Sequence, residues 1–225
     1  MRNSSGYALW LYGSHSRGNS DSLSDVDIIL IADDENDDSP LRELPLFPQT
    51  PTVSRYNWFE IEQMAGYGSL FLRHLLLEGR VIAESPRAVG RLDALLSSLG
   101  PYQRASRDLQ GFWTVHADVG ESLLNGGAST AFETATLATV FRHAAILGCN
   151  LFDAPCFSRL EPVRRLVNTW ILPRVWAAEF SKFYRYRLCE DGRATVSRNP
   201  SMEYIWEWHA RVAVLLNELG KRIHG

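Results

Sequence analysis

The sequence predicts an α+β fold, a small mixed-sheet domain over residues 1–86 followed by an all-helical bundle over residues 87–225. Three observations carry this. Short apolar runs rich in β-branched and aromatic residues, each bounded by turn formers, are confined to the first part of the chain. Beyond Pro86, apolar residues recur at helical spacing in long segments parted by LGP, NGG, DAP and RNP. The charge shifts as well: residues 1–90 carry 7 Arg against 13 Asp and Glu, while the rest is net basic, for −3 overall.

The elements follow in order. YALWLY (7–12) is a buried strand ending at Gly13, and residues 13–24, rich in Ser, Gly, Asn and Asp, form a turn with room for one helical turn. VDIILIA (26–32) is a second buried strand. DDENDDSP (33–40) is a solvated acidic loop, lacking the Gly and Glu spacing of a calcium loop. PTVSRYNW (51–58) is a third strand, and residues 59–78 read as one helix ended by Gly79. RVIAE (80–84) makes a short edge strand. Helical segments are expected at about 87–99, 102–124, 129–152, 161–189 and 201–223, with Pro173 kinking or dividing the fourth.

Several functional classes lose support. A net charge of −3 does not suit a general nucleic-acid binder. Cys149, Cys156 and Cys189 are an odd set without CxxC spacing, so neither a disulfide framework nor a zinc site is expected. No HExxH motif and no GxxxxGK[ST] loop occurs. No apolar run approaches the ~18–20 residues of a membrane span, and no secretory leader is visible, so a cytoplasmic, membrane-free protein is expected.

One stretch carries chemistry, GSHSRGNSDSLSDVDIIL. On a strand, alternate side chains share a face, so Asp25 and Asp27 point the same way with Val26 turned inward. Two close carboxylates repel unless something compensates. Divalent cations do so, and Mg²⁺ takes one or two protein carboxylates beside water and phosphate oxygens. Upstream, Gly13 permits a tight turn and close backbone approach to a ligand. Ser14 adds a hydroxyl and an amide at a helix start, where phosphate is favoured. The conjunction points to phosphoryl or nucleotidyl transfer.

In Gly13, Ser14, Arg17 and Gly18 followed by Asp25 and Asp27, the stretch resembles the signature of the DNA polymerase β-like nucleotidyltransferase superfamily. Its sheet domain with a following helical bundle resembles the aminoglycoside-type, stand-alone members. The resemblance implies that the turn holds the β- and γ-phosphates of an NTP and that Asp25 and Asp27 bind two Mg²⁺ ions. A nucleotide monophosphate would pass to an acceptor hydroxyl of a small molecule, protein or RNA end. It also implies a third carboxylate on the third strand, yet PTVSRYNW has none and presents Thr52 and Ser54 instead. Glu60, Glu62 and, from the helical half, Glu133 are the candidate substitutes. Lys182, Arg185 and Arg187 are candidate triphosphate-closing cations within a basic aromatic stretch. A homodimer fits the resemblance. The alternative is a degenerate member acting as a nucleotide-binding or protein-binding, antitoxin-like regulator without catalysis.

Overall fold

The computed structural model describes residues 6–34, 36–47, 49–126, 129–169 and 172–225. The chain divides into two compact units, one running to Gln103 and the other starting at Arg104. A mixed sheet with helices forms the first, and the second is all helical, as the sequence predicts.

In chain order the first unit contains β1 (Tyr7–Tyr12), α1 (Gly13–Arg17), β2 (Asp27–Ala32), a 3-10 turn (Ser39–Glu43) and β3 (Thr52–Asn57). It continues through α2 (Trp58–Gly66), α3 (Leu70–Glu78), β4 (Arg80–Glu84) and α4 (Arg91–Ser97). The sheet order is β3-β2-β1-β4. β1 runs antiparallel to β2 and β4, whereas β2 and β3 are parallel. A parallel pair needs a crossover, and residues 33–51 provide it.

That crossover explains why β2 is apolar without alternation. On one face Ile29 and Ile31 join Trp10, Trp58, Ile61, Leu72 and Leu75 in a core under the helices. On the other, Val26, Ile28 and Leu30 are covered by Leu41, Leu44 and Phe47 of the crossover. A strand buried on both faces reads as a continuous hydrophobic run. Proline limits the crossover's own helical content to the 3-10 turn, whose first turn contains Pro40.

Two expectations are corrected. The single helix over 59–78 is two, α2 and α3, broken at Tyr67–Ser69. Gly68 adopts φ +68, and a Cβ there would lie 2.4 Å from the Pro101 carbonyl oxygen, so only glycine fits this turn. Ser69 then caps α3 by accepting from the Phe71 N–H. The second strand also begins one step later than expected: Val26 accepts from the Thr52 N–H at 2.8 Å, but regular pairing starts at Asp27. α4 lies beyond residue 86, yet its Leu92 and Leu96 belong to the core of the first unit.

The second unit comprises α5 (Ala105–Leu124), α6 (Thr130–Leu151), α7 (Glu161–Asn168), α8 (Arg174–Glu190) and α9 (Met202–His224). The expected 161–189 segment is divided, with Pro173 serving as the N-cap of α8. α6 packs against the other four helices, which is why its sequence is apolar on nearly every side. Its Phe141 meets Phe180 of α8 and Trp208 of α9 at ring distances of 5.3 and 5.5 Å. Phe183 lies flat on Trp208, 3.9 Å apart and 2° from parallel. Arg211 lies over the Trp208 ring at 4.7 Å and is ion-paired with Glu179 and Glu207.

α5 and α9 are joined by a reciprocal pair. His116 Nε2 donates to the His209 carbonyl and His209 Nε2 to the His116 carbonyl, each at 3.0 Å, with the rings stacked 3.6 Å apart. Each histidine has a tryptophan three residues before it packed edge-on, Trp113 and Trp206. Burial lowers the pKa of His209, as does the charge of His116, against a smaller opposing effect of its hydrogen bond. Among the described residues no helix is long and apolar enough to cross a membrane.

Candidate active site

The signature stretch folds into a single corner of the first unit. β1 ends at Tyr12, and Gly13 turns the chain with φ +75 into the short α1. A Cβ on Gly13 would fall 2.8 Å from Asp27 Oδ2, so the turn is pressed against the carboxylate and tolerates no side chain. Gly18, at φ +72, closes α1 by donating to the His15 carbonyl, and Asn19 N–H reaches Ser14 O at 3.1 Å. Ser14 thus sits on a closed turn, half-buried, beside the acidic strand end.

Asp25 and Asp27 are both half-buried, while Val26 between them is fully buried. Asp27 is flanked in register by Tyr12 on β1 and Thr52 on β3. The Tyr12 hydroxyl lies 3.4 Å from Ser54 Oγ. Since β2 runs between β1 and β3, the Tyr12 side chain spans the central strand below Asp27. Burial raises the pKa of this phenol and the hydrogen bond to Ser54 opposes that, while Asp27, Tyr56 and Asp25 push it further up. Tyr12 is therefore a neutral hydroxyl beside Asp27 and Asp25.

Arg17 is placed on the same turn but is already engaged. It forms an ion pair with Glu78 at the end of α3, and its Nε donates to Asn19 Oδ1 at 3.2 Å. His74 shares the same Glu78 oxygen at 2.7 Å, and Ser16 Oγ donates to the Glu78 carbonyl. Glu78 therefore ties α1 to α3. Burial would raise its pKa, but the hydrogen bond and charge of His74, with those of Arg17, prevail and hold the carboxyl below its ordinary 4.5. A depressed carboxyl stabilises the fold above its unfolded value and loses that contribution as pH falls through the folded one. Acid unfolding of the first unit, followed by circular dichroism from about pH 5 to pH 2, is expected to be shallower in Glu78→Gln. An unchanged acid slope would show that Glu78 is not part of it.

The other candidates are placed elsewhere. Glu60 is the N3 residue of α2, where it completes a capping box with Asn57, both bonds at 2.9 Å. Glu62 pairs with Arg91 at 2.7 Å. Glu133 is only 6% exposed within the helical unit and accepts from Ser122 Oγ at 2.6 Å. Lys182 and Arg185 are exposed on α8, with Arg185 Nε donating to Thr195 O at 3.0 Å. Arg187 pairs with Asp191. Among the described residues no three of His, Cys, Asp and Glu converge as a metal-holding group.

Tyr12 and Glu78 are the members that motif reading passes over. Tyr12 looks like ordinary strand filling, although its position directly before Gly13 places it in register with Asp27. Glu78 is 61 residues from Arg17 in the chain, so no local pattern links them. The second unit has its own groove of about 810 Å³ between α5 and α9, lined by Leu109, Trp113, Val214 and Asn217 among others. It contains no paired carboxylates of the kind seen at Asp25 and Asp27. No protein-family model matches this chain, and no curated protein matches it in sequence.

Proposed function

We propose that the first unit binds a nucleoside triphosphate with a divalent cation and transfers its nucleotide monophosphate to an acceptor hydroxyl. The observation that carries this is the closeness of Gly13 to the Asp27 carboxylate, near enough that a Cβ on Gly13 would lie 2.8 Å from Oδ2, which supports reading the turn and the aspartates together. A phosphate on the turn then lies beside two carboxylates, an arrangement that is repulsive alone and attractive around Mg²⁺. The donor set fits such a cation: Asp27, the first residue of β2, and Asp25, two residues before it, offer hard oxygen ligands. When bound, the cation supplies charge neutralisation of the phosphate oxygens.

The chain's own residues set the rest. Gly13 lets backbone amides approach the triphosphate, Ser14 adds a hydroxyl donor, and Glu78 holds α1 against α3 so that the turn keeps its shape. In the transfer itself the acceptor oxygen bonds to the α-phosphorus and the bond to the bridging oxygen breaks. Pyrophosphate departs and the hydroxyl proton leaves to solvent or base. The order of turn, strand and paired aspartates resembles the polymerase β-like nucleotidyltransferases and supports the same reading.

A second reading, a nucleotide-binding module without transfer, is favoured by one observation. Thr52 and Ser54, the residues of β3 on the face of Asp27, are hydroxyls and not acids. Both readings predict binding. Calorimetric titration of the four NTPs is expected to show binding in Mg²⁺ that disappears in EDTA. No binding in either condition would overturn both, whereas equal binding with and without Mg²⁺ would overturn transfer and leave the nucleotide-binding module.

A further inference from the structure

We infer that this site holds one divalent cation per chain, delivered with the nucleotide, and has no place for a second. The inference rests on the nucleotide-binding reading above and concerns its metal stoichiometry.

Coordination chemistry carries the argument. Two cations placed a few ångströms apart repel strongly, and anionic ligands shared or distributed between them offset that repulsion. Here the protein offers two carboxylates, Asp25 and Asp27, on one strand end. The positions that flank Asp27 on either side are Tyr12 and Thr52, both neutral hydroxyls. One step deeper, Ser54 is within 3.4 Å of the Tyr12 hydroxyl, so the two neutral groups face each other where another acid would have to stand.

Among the described residues, the acids weighed as substitutes for a third ligand are engaged elsewhere. Glu60 caps α2, Glu62 pairs with Arg91, and Glu78 binds Arg17 and His74. Glu133 is buried against Ser122 in the other unit. Among the described residues no third His, Cys, Asp or Glu joins the two aspartates. A single Mg²⁺, by contrast, is content with one or two carboxylates when phosphate oxygens and water complete its shell. The donor set therefore matches one cation entering as the metal–nucleotide complex. It does not match a resident pair.

The test counts metal directly and does not depend on turnover. Mn²⁺ is titrated into the full chain with a saturating, non-hydrolysable α,β-methylene NTP, and free Mn²⁺ is read by electron paramagnetic resonance. One protein-associated Mn²⁺ per chain is expected with nucleotide, and none without it. Two ions of similar affinity per chain would overturn the inference while leaving nucleotide binding intact. Failure of the analogue to bind at all would overturn the underlying reading and this inference with it.

Thr52→Asp gives the converse arm. Thr52 is exposed and level with Asp27, so an acid there needs no repacking. This variant is expected to bind two Mn²⁺ per chain with nucleotide. If its count stays at one although it melts and binds nucleotide as the parent does, the neutral position is not what limits the count, and the inference is overturned.

Discussion

Asp27→Asn is expected to weaken Mg²⁺-dependent NTP binding by roughly 100-fold, about 2.7 kcal/mol, without lowering the melting temperature. The substitution keeps shape and removes only charge. Asp27 is half-buried, in register with hydroxyls on both sides and two residues after Asp25. Asn keeps the size of the side chain and one oxygen acceptor, so the fold should hold while the charge that a cation needs is gone. Calorimetry with Mg²⁺-NTP and a thermal melt on the same sample decide the matter. A loss of stability above about 1 kcal/mol with binding retained would make Asp27 a structural residue and sink the proposed function.

Trp208→Ala is expected to destabilise the helical unit by about 3–5 kcal/mol. The side chain is 1% exposed and lies flat against Phe183, with Phe141 edge-on to it and Arg211 over its ring. Truncation leaves a cavity walled by rigid aromatic rings, which relax poorly into it, and removes stacking worth about 0.5–1.5 kcal/mol. It also removes the nearer of the two rings under Arg211, which keeps its pairs with Glu179 and Glu207 and its contact with Trp176. Denaturant melts are expected to show the loss as a transition at lower denaturant. A shift below about 1 kcal/mol would show that this aromatic group is not the keystone of the bundle.

Much of this architecture is legible in the sequence, for reasons that differ by element. β1 and β2 are plain because burial on both faces writes an uninterrupted apolar run, and Gly13 marks the turn between them. The break between α2 and α3 is not plain. The apolar spacing continues through Tyr67–Ser69, and the decisive fact, that Gly68 backs onto the Pro101 carbonyl, is a tertiary contact 33 residues away in sequence. α4 is hard to assign for a related reason. Its pattern is helical like the segments after it, and only packing shows that Leu92 and Leu96 join the first core.

The candidate site divides along the same line. The spacing places Asp27 at the head of β2 and Asp25 just before it, and both act electrostatically on Tyr12. The absence of a third acid on β3 is equally readable. What sequence does not convey is the fate of the substitutes, since Glu60, Glu62 and Glu133 look alike as acids on helices. Their separate tasks, a cap, an ion pair and a buried hydroxyl contact, depend on Asn57, Arg91 and Ser122 arriving where they do. Arg17 is the clearest example of a motif residue redefined by its surroundings. Local pattern offers it to phosphate, but Glu78 already holds it.

The crossed histidines of α5 and α9 have a mechanical consequence. Each ring is anchored on the other's backbone, so the two bonds share one alignment of the helices and are lost together when either helix slips by a turn of about 5.4 Å. A seam fastened at one point by two opposed hooks resists sliding in both directions, whereas a single bond permits rotation about itself. α5 and α9 are therefore held to one register at this level of the bundle.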